Sequence, residues 1–303
     1  MAPTVTKYFL NITRNSFPNI DFSKGHLILP ESMHYYADPF LFEHKEKLYI
    51  FFEDWDYYKG VIKCGTYTEA EGLIGVETCL ELPRHTSFPN IFRYQSQIWM
   101  IPDTSVQNNI QLFKCEEFPH KWKFEKILVS GFSTADTAFF ADNSGRVWLF
   151  TQSDSQTMAL FSASSIFDMF TKTLINVNHP RSAGTIFRYG EAIYRPAQDC
   201  SEQYGKAVKI NKITKLGPQE YEERLVQTYD AGWFPELTGC HTFNLCGDFV
   251  ITDGRLRVES PYAECVRSTI GSVQKSTDND AYVEEYISKL IEEANRNGRC
   301  STQ

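Results

Sequence analysis

The chain repeats itself about every 50 residues, and that period constrains its fold more than any other feature. Five segments, 38–53, 87–103, 136–152, 183–199 and 241–254, share one pattern. Each has an apolar strand, a short polar turn and a second strand of aromatic and β-branched residues. The turns carry the polar residues and Gly that hairpins need. Aligned on Tyr49, Trp99, Trp148, Tyr194 and Val250, the intervals are 50, 49, 46 and 56 residues. Hairpins at this period, with no helical pattern between them, predict the blades of an all-β, five-bladed β-propeller. A β-sandwich also has short strands and turns, but nothing in it imposes a fixed spacing. Val61–Tyr67, Ile110–Cys115, Leu160–Ala163 and Ala207–Ile210 fall at the phase of third strands, so four-stranded blades are expected. Thr4–Leu29 is expected to supply a strand that completes the last blade. The propeller is thus assigned residues 1–259.

The remainder, 260–303, reads as a linker and an amphipathic helix packed on the propeller. Within Asp280–Ala294, Tyr282, Tyr286, Ile287, Leu290 and Ile291 recur at helical spacing, and Glu284, Glu285, Lys289, Glu292 and Glu293 take the other face.

Composition narrows the function. Asp and Glu number 38 against 30 Lys and Arg, a formal charge of −8, which excludes a nucleic-acid partner that needs clustered cations. No run approaches the ~20 apolar residues of a membrane span. The first 16 residues have no apolar run for a signal peptide, and none of the 8 Cys forms C-x-x-C. Reduced thiols and a cytoplasmic location are therefore expected. Aromatics are abundant, with 5 Trp, 16 Tyr and 23 Phe, a choice that suits strands and sugar-binding surfaces. P-loop, dinucleotide, zincin and nucleophile-elbow motifs are absent from the sequence.

In a propeller the innermost strands converge on one mouth, so the repeat itself nominates site residues. Strand starts give Asp38, His85 with Ser87, Asp136, Arg181 and His241. Second-strand ends give Glu53, Asp103, Gln198 and Asp199. Asp38, which precedes Pro39 and Phe40-Leu41-Phe42, is read as a catalytic base held on rigid backbone. His85 and His241 would bind a phosphate or a sugar hydroxyl, or else bond between blades. Arg181 would grip a diphosphate, or else lie on the surface. Trp55, Tyr57 and Tyr58, with Trp233 and Phe234, would stack on a sugar or nucleobase, or else pack between blades. Asp199 is read equally as a site residue or a blade-corner acceptor, and Asp253 as a corner acceptor. The pairs Asp54-x-Asp56 and Asp278-x-Asp280 are short matches to a metal–diphosphate motif. No metal ligand set is assigned, and a divalent metal is the one cofactor left open.

A longer set of residues carries a resemblance. Ala37-Asp38-Pro39-Phe40-Leu41, His85-x-Ser87-Phe88-Pro89, Met100-Ile101-Pro102-Asp103, Phe118-Pro119-x-x-Trp122, Arg181-Ser182-Ala183-Gly184, Gln198-Asp199-Cys200 and Tyr204-Gly205 occur in order across roughly 35–255. Together they resemble the N-terminal domain of plant glucosamine inositolphosphorylceramide transferases. Related domains occur in bacteria and in large DNA viruses of algae, which agrees with a virus-encoded protein acting in host cytoplasm. The domain is related in turn to five-bladed propeller glycosidases. The resemblance implies a catalytic Asp on the first blade, matched by Asp38, and an Asp on a middle blade, matched by Asp136. It also implies a later Glu acid, for which no match is found, since Glu53 is placed at the wrong end of blade one.

A hydrolase needs an acid as well as a base, whereas a nucleotide diphosphate leaves without one. The expected function is therefore glycosyl transfer by a single base, from a UDP-sugar such as UDP-xylose to a glycan hydroxyl. Two alternatives stand beside it: a propeller glycoside hydrolase with Asp38, Asp136 and Glu53 or Asp103, and a non-catalytic glycan-binding propeller.

Overall fold

The computed structural model describes residues 4–30, 34–56, 59–83, 85–104, 108–153 and 157–259. It is a five-bladed β-propeller. Blade I comprises β3 (Tyr35–His44), β4 (Lys47–Trp55), β5 (Gly60–Thr68) and β6 (Gly72–Leu80). Blade II comprises β7 (Ser87–Tyr94), β8 (Gln97–Asp103), β9 (Asn109–Glu117) and β10 (Lys121–Ser130). Blade III holds β11 (Ala135–Ala141), β12 (Val147–Ser153), β13 (Thr157–Ala163) and β14 (Thr171–Ile175). Blade IV holds β15 (Phe187–Tyr189), β16 (Ala192–Asp199), β17 (Ala207–Gly217) and β18 (Glu220–Asp230). Blade V closes the ring. Its inner strand is split into β19 (Leu237–Gly239) and β20 (Phe243–Cys246), followed by β21 (Phe249–Glu259). Two strands from the other end of the chain, β1 (Thr4–Arg14) and β2 (His26–Ile28), complete it on the outside. The expected closing strand is thus a pair, and β1 matches β21 over eleven registered positions from Thr4↔Glu259 to Arg14↔Phe249.

The repeat is a register. Each anchor residue lies on the second strand of its blade, opposite an apolar residue of the first: Phe42↔Tyr49, Phe92↔Trp99, Phe140↔Trp148, Phe187↔Tyr194 and Leu245↔Val250. Such cross-strand apolar pairs are the unit of sheet stabilisation. Between blades they merge into seams. Phe40 and Phe51 meet Phe88 and Met100; Phe92 and Trp99 meet Phe139 and Leu149; Trp148 and Phe150 meet Ile186. Phe187 and Val208 then meet Phe243 and Val250, and Leu10 and Ile251 meet Leu41 and Phe52. The last seam exists because β1 supplies Leu10.

One irregularity positions the site. In blades I, II and III the first strand opens with a register shift against the second, at Ala37/Phe40, Ser87/Asn90 and Ala135/Ala138. There Asp38, Phe88 and Asp136 take φ of 49°, 44° and 52°. A β-bulge re-aims a side chain, and a non-Gly residue at positive φ persists only where its surroundings hold it. Among the described residues no helix is long and apolar enough to cross a membrane. The expected C-terminal helix lies outside the described residues.

Candidate active site

Antiparallel pairing brings the start of each first strand and the end of each second strand to the same mouth. Ala37 is registered with Glu53, Ser87 with Asp103 and Ala135 with Gln152. A cavity of about 150 Å3 opens there. Its wall carries Asp38, Glu53 and Asp103 as acids, together with Arg181, His241, His85 and Ser87. Tyr8, Tyr35 and Tyr204 complete it. The rings form a chain along the wall. Tyr35 packs on Trp55 at 4.7 Å and on Tyr8 at 5.2 Å, and Tyr8 stacks on His241 at 4.9 Å. Tyr204 meets the same imidazole edge-on at 5.3 Å.

Asp38 is buried and held at both oxygens. Its Oδ1 accepts from Thr242 Oγ1 at 2.8 Å, and its Oδ2 accepts from the Phe88 amide of the next blade at 3.2 Å. His241 Nε2 lies 3.6 Å from Oδ1. Burial pushes the Asp38 carboxyl up to about 6, against the pull of His241. It is mostly ionised at pH 7.

Glu53 is buried too. Burial, reinforced by the charges of Asp38 and Asp136, holds its carboxyl well above the usual carboxylate range, which favours the protonated acid. Its Oε1 has no hydrogen-bond partner among the described residues. His85 Nε2 lies 3.2 Å from that oxygen but off the axis of a hydrogen bond. Since His85 Nδ1 accepts the Gly60 amide at 3.1 Å, the ring's proton is on Nε2, and desolvation lowers its pKa.

Asp103 is also raised, to about 7, by burial and then by the neighbouring Asp136. Its Oδ2 accepts the Asp136 amide at 3.2 Å. Asp136 is itself pinned: Arg181 Nε donates to Oδ2 at 2.5 Å and Gln198 Nε2 at 2.6 Å. Arg181 lies over the Tyr204 ring at 5.0 Å. The arrangement offers a mostly ionised carboxylate, Asp38, and carboxyls that burial pushes toward their acid form, facing the same small, aromatic-walled space.

Asp38, His241 and Asp253 place three ligand atoms within 4.8 Å of one another, close enough for a cation. Their bonding does not fit one. Asp253 accepts the amides of His241 (2.8 Å), Thr242 (3.1 Å) and Asp38 (3.3 Å), and its Oδ2 lies 2.5 Å from His241 Nδ1. Every Asp253 lone pair a metal would use is taken.

The structure thus brings together Asp38, Glu53, His85, Ser87, Asp103, Arg181 and His241 at the cavity, with Asp136 and Gln198 one layer behind. Trp55 is not in the lining but packs against Tyr35 and His85, which are. Other nominated residues lie elsewhere. Asp199 bonds Ser201 (amide 3.0 Å, Oγ 2.6 Å), with Lys209 at 3.3 Å and His179 at 3.8 Å. Asp54 repeats the device with His34 at 2.7 Å and Lys63 at 2.6 Å, so the Asp54-x-Asp56 match is a structural clip. Trp233 packs on Phe9 and Phe22 in blade V. Tyr57, Tyr58 and Asp278-x-Asp280 lie outside the described residues. Glu53 corrects the expectation that no Glu converges: a hairpin returns its second strand to the end where the first began. Tyr8, Tyr35 and Tyr204 were not nominated. Tyr8 lies on β1, outside the repeat.

Comparison with known proteins follows the same lines. Residues 29–231 match the family model described as "Glucosamine inositolphosphorylceramide transferase 1, N-terminal". The chain is 27% identical over 214 residues to Glucosamine inositolphosphorylceramide transferase 1 of Oryza sativa subsp. japonica, covering 62% of this chain and 27% of that protein. The protein of that name from Arabidopsis thaliana is 28% identical over 214 residues, covering 62% and 26%. The chain thus spans about a quarter of the length of these relatives. Among solved structures, an exo-1,5-α-L-arabinanase from a bovine ruminal metagenomic library superposes with a TM-score of 0.52 at 16% identity, covering 74% of this chain and 89% of that one. The catalytic domain of a Coprinopsis cinerea α-L-arabinofuranosidase gives 0.57 at 10% identity, covering 84% and 97%. These likenesses establish the propeller fold. The relatives also overturn the cytoplasmic expectation: they are plant transferases named for a ceramide lipid. By the match across two-thirds of its length, the chain belongs to the glucosamine inositolphosphorylceramide transferase 1 N-terminal family.

Proposed function

We propose that this propeller is a carbohydrate-active enzyme that transfers a glycosyl group to a hydroxyl acceptor, with Asp38 as general base. One observation carries the reading: Asp38 and Glu53, on paired strands of one hairpin, face one cavity, the first hydrogen-bonded at both oxygens and the second with an unbonded Oε1 and a carboxyl held well above the usual range. Environments that push two carboxyls apart are how a site obtains an acid and a base at one pH. Asp38 takes the proton of the acceptor hydroxyl as its oxygen attacks the anomeric carbon, and the bond to the leaving oxygen breaks. The relatives' name supports a transferase. The donor we propose is a nucleotide-diphosphate sugar, with a pentose such as that of UDP-xylose as the first to try. The acid-lined wall disfavours a diphosphate inside the cavity, so the sugar ring enters and the diphosphate stays at the rim.

A second reading is favoured by Glu53 itself. A neutral carboxylic acid can protonate a glycosidic oxygen, which a diphosphate donor does not require. With water as acceptor, the same pair would hydrolyse a glycoside. The test is one purified protein and two substrate sets. Release of UDP from UDP-sugars, stimulated by glycan acceptors, supports transfer. Cleavage of aryl glycosides without UDP release supports hydrolysis. Glycan binding with neither turnover would refute catalysis. In whichever assay is positive, Asp38→Asn should lower turnover by about 10²–10⁴-fold with donor binding retained.

A further inference from the structure

A buried carboxylate beside other acids should take up a proton, yet a base must be free of one. We infer that Asp253 and His241 are the positioning pair that holds Asp38 as an anion, with His241 lodged between the two aspartates as an imidazolium. The inference rests on the proposed role of Asp38 as base. Asp253 lies on β21 and is completely buried. It receives three backbone amides and the imidazole. Four donors fit a carboxylate; a carboxylic acid would turn its own proton against one of them. An anionic Asp253 at 2.5 Å fixes a proton on His241 Nδ1. The other nitrogen faces Asp38 Oδ1 at 3.6 Å. In a neutral ring that nitrogen would turn a lone pair on the Asp38 anion. In an imidazolium it turns an N–H, and both aspartates are satisfied.

The surrounding charges agree. Burial opposes the imidazolium, but Asp253 and then Asp38 outweigh it and raise the His241 pKa above its ordinary value. Asp253 is held below its ordinary range, although burial alone would raise it. On the other sides the ring meets phenols: Tyr8 of β1, whose pKa burial raises beyond the physiological range, and Tyr204, likewise raised. Asp136 of blade III acts on both partners, favouring protonation of His241 and of Asp38. Arg181 is bonded to Asp136, and burial pushes Glu53 toward its neutral acid. Arg255, beside Asp253 on β21, gives its donors to Thr238 and to the Tyr204 carbonyl. The cation nearest Asp38 is therefore His241, and it comes from the blade that closes the ring.

NMR titration tests this without a substrate. His241 ring nitrogens, assigned by their loss in His241→Gln, should both report protonation from about pH 6 to 8, unlike an ordinary imidazole of pKa about 6.5. The Asp38 carboxyl carbon, assigned through Asp38→Asn, should titrate near 6 in the natural protein. In folded His241→Gln its midpoint should rise by at least about one pH unit, a tenfold gain in proton affinity. A neutral His241 ring at pH 7 in the natural protein would overturn the inference, even if the variant fails to fold. An unmoved Asp38 midpoint in a folded variant would do the same. The acid limb of the pH–rate profile should follow the NMR midpoint. A limb that stays put while the midpoint moves would remove Asp38 as base and leave the His241 pair standing.

Discussion

Replacing Asp103 by Asn should make the protein more stable at pH 8 and leave it unchanged near pH 4. The reason is linkage. The Asp103 carboxyl titrates near 7 in the folded chain, against 3.8 ordinarily. A carboxyl raised by folding contributes stability that is complete below its unfolded pKa and is lost as pH rises through its folded one. For Asp103 that window runs from about pH 4 to 7, and full ionisation corresponds to a ceiling on the order of 4 kcal/mol. Asp103 is only half-buried, so water in the cavity trims the ceiling, and about 2 kcal/mol is the expected loss. Asn imitates the protonated acid in shape. Its amide oxygen can still accept the Asp136 amide, and its NH2 can donate toward the Asp136 carboxylate as the acid proton did. It cannot ionise, so it escapes the loss. For a domain of this size about 2 kcal/mol amounts to roughly 4–8 °C in Tm. Calorimetry of both proteins at pH 4, 6 and 8 checks this. If the two Tm curves run parallel across that range, Asp103 is not the buried, acid-crowded group described above.

Two further outcomes follow from the same electrostatics. Turnover should rise through about pH 6 as Asp38 loses its proton; if Glu53 acts as an acid, turnover should fall again where Glu53 ionises. Initial rates from pH 4 to 10 on saturating substrate measure this, and activity that climbs toward pH 4 would contradict the base. Asp199 behaves oppositely: its carboxyl is held down at about 2 because Ser201, Lys209 and His179 outweigh the burial that would raise it. Its contribution is present above about pH 4 and lost as pH falls through 2, so Asp199→Asn should cost about 1–2 kcal/mol at pH 7 with turnover per folded molecule unchanged. Turnover lost without any change in Tm would instead return Asp199 to the site.

The propeller was legible because its blades repeat the same cross-strand pairs. Phe92 with Trp99 and Phe187 with Tyr194 are visible in one dimension once the period is found. The site was legible in part, and the parity of strands explains which part. Glu53, Asp103 and Gln198 each stand four residues after their blade's anchor, and Asp54 and Asp199 stand five after. Side chains alternate between faces. The first group therefore turns to the axis and the second to Lys63 and Lys209 on the neighbouring strand. That signal lay in the sequence, and proximity of chemistry obscured it. Tyr8 carried no such signal. It enters the cavity only because β1 lies beside β21, a pairing of residues more than two hundred positions apart.

That pairing sets a clock on synthesis. A chain made at roughly 5–20 residues per second leaves the ribosome with β1 long before β21 exists, so β1 waits on the order of 10–50 s for its partner. Through that interval Leu10 and Ile12 lack Ile251, their blade V partner in the seam, and Tyr8 has no imidazole to stack on. The pocket cannot be assembled piecemeal: blades I to IV supply Asp38, Glu53 and Asp103, but His241, Asp253 and the seat of Tyr8 arrive together, last. A chain truncated between residues 241 and 249 would hold nearly all the chemistry of the site and lack β21, the strand that seats β1 and Tyr8.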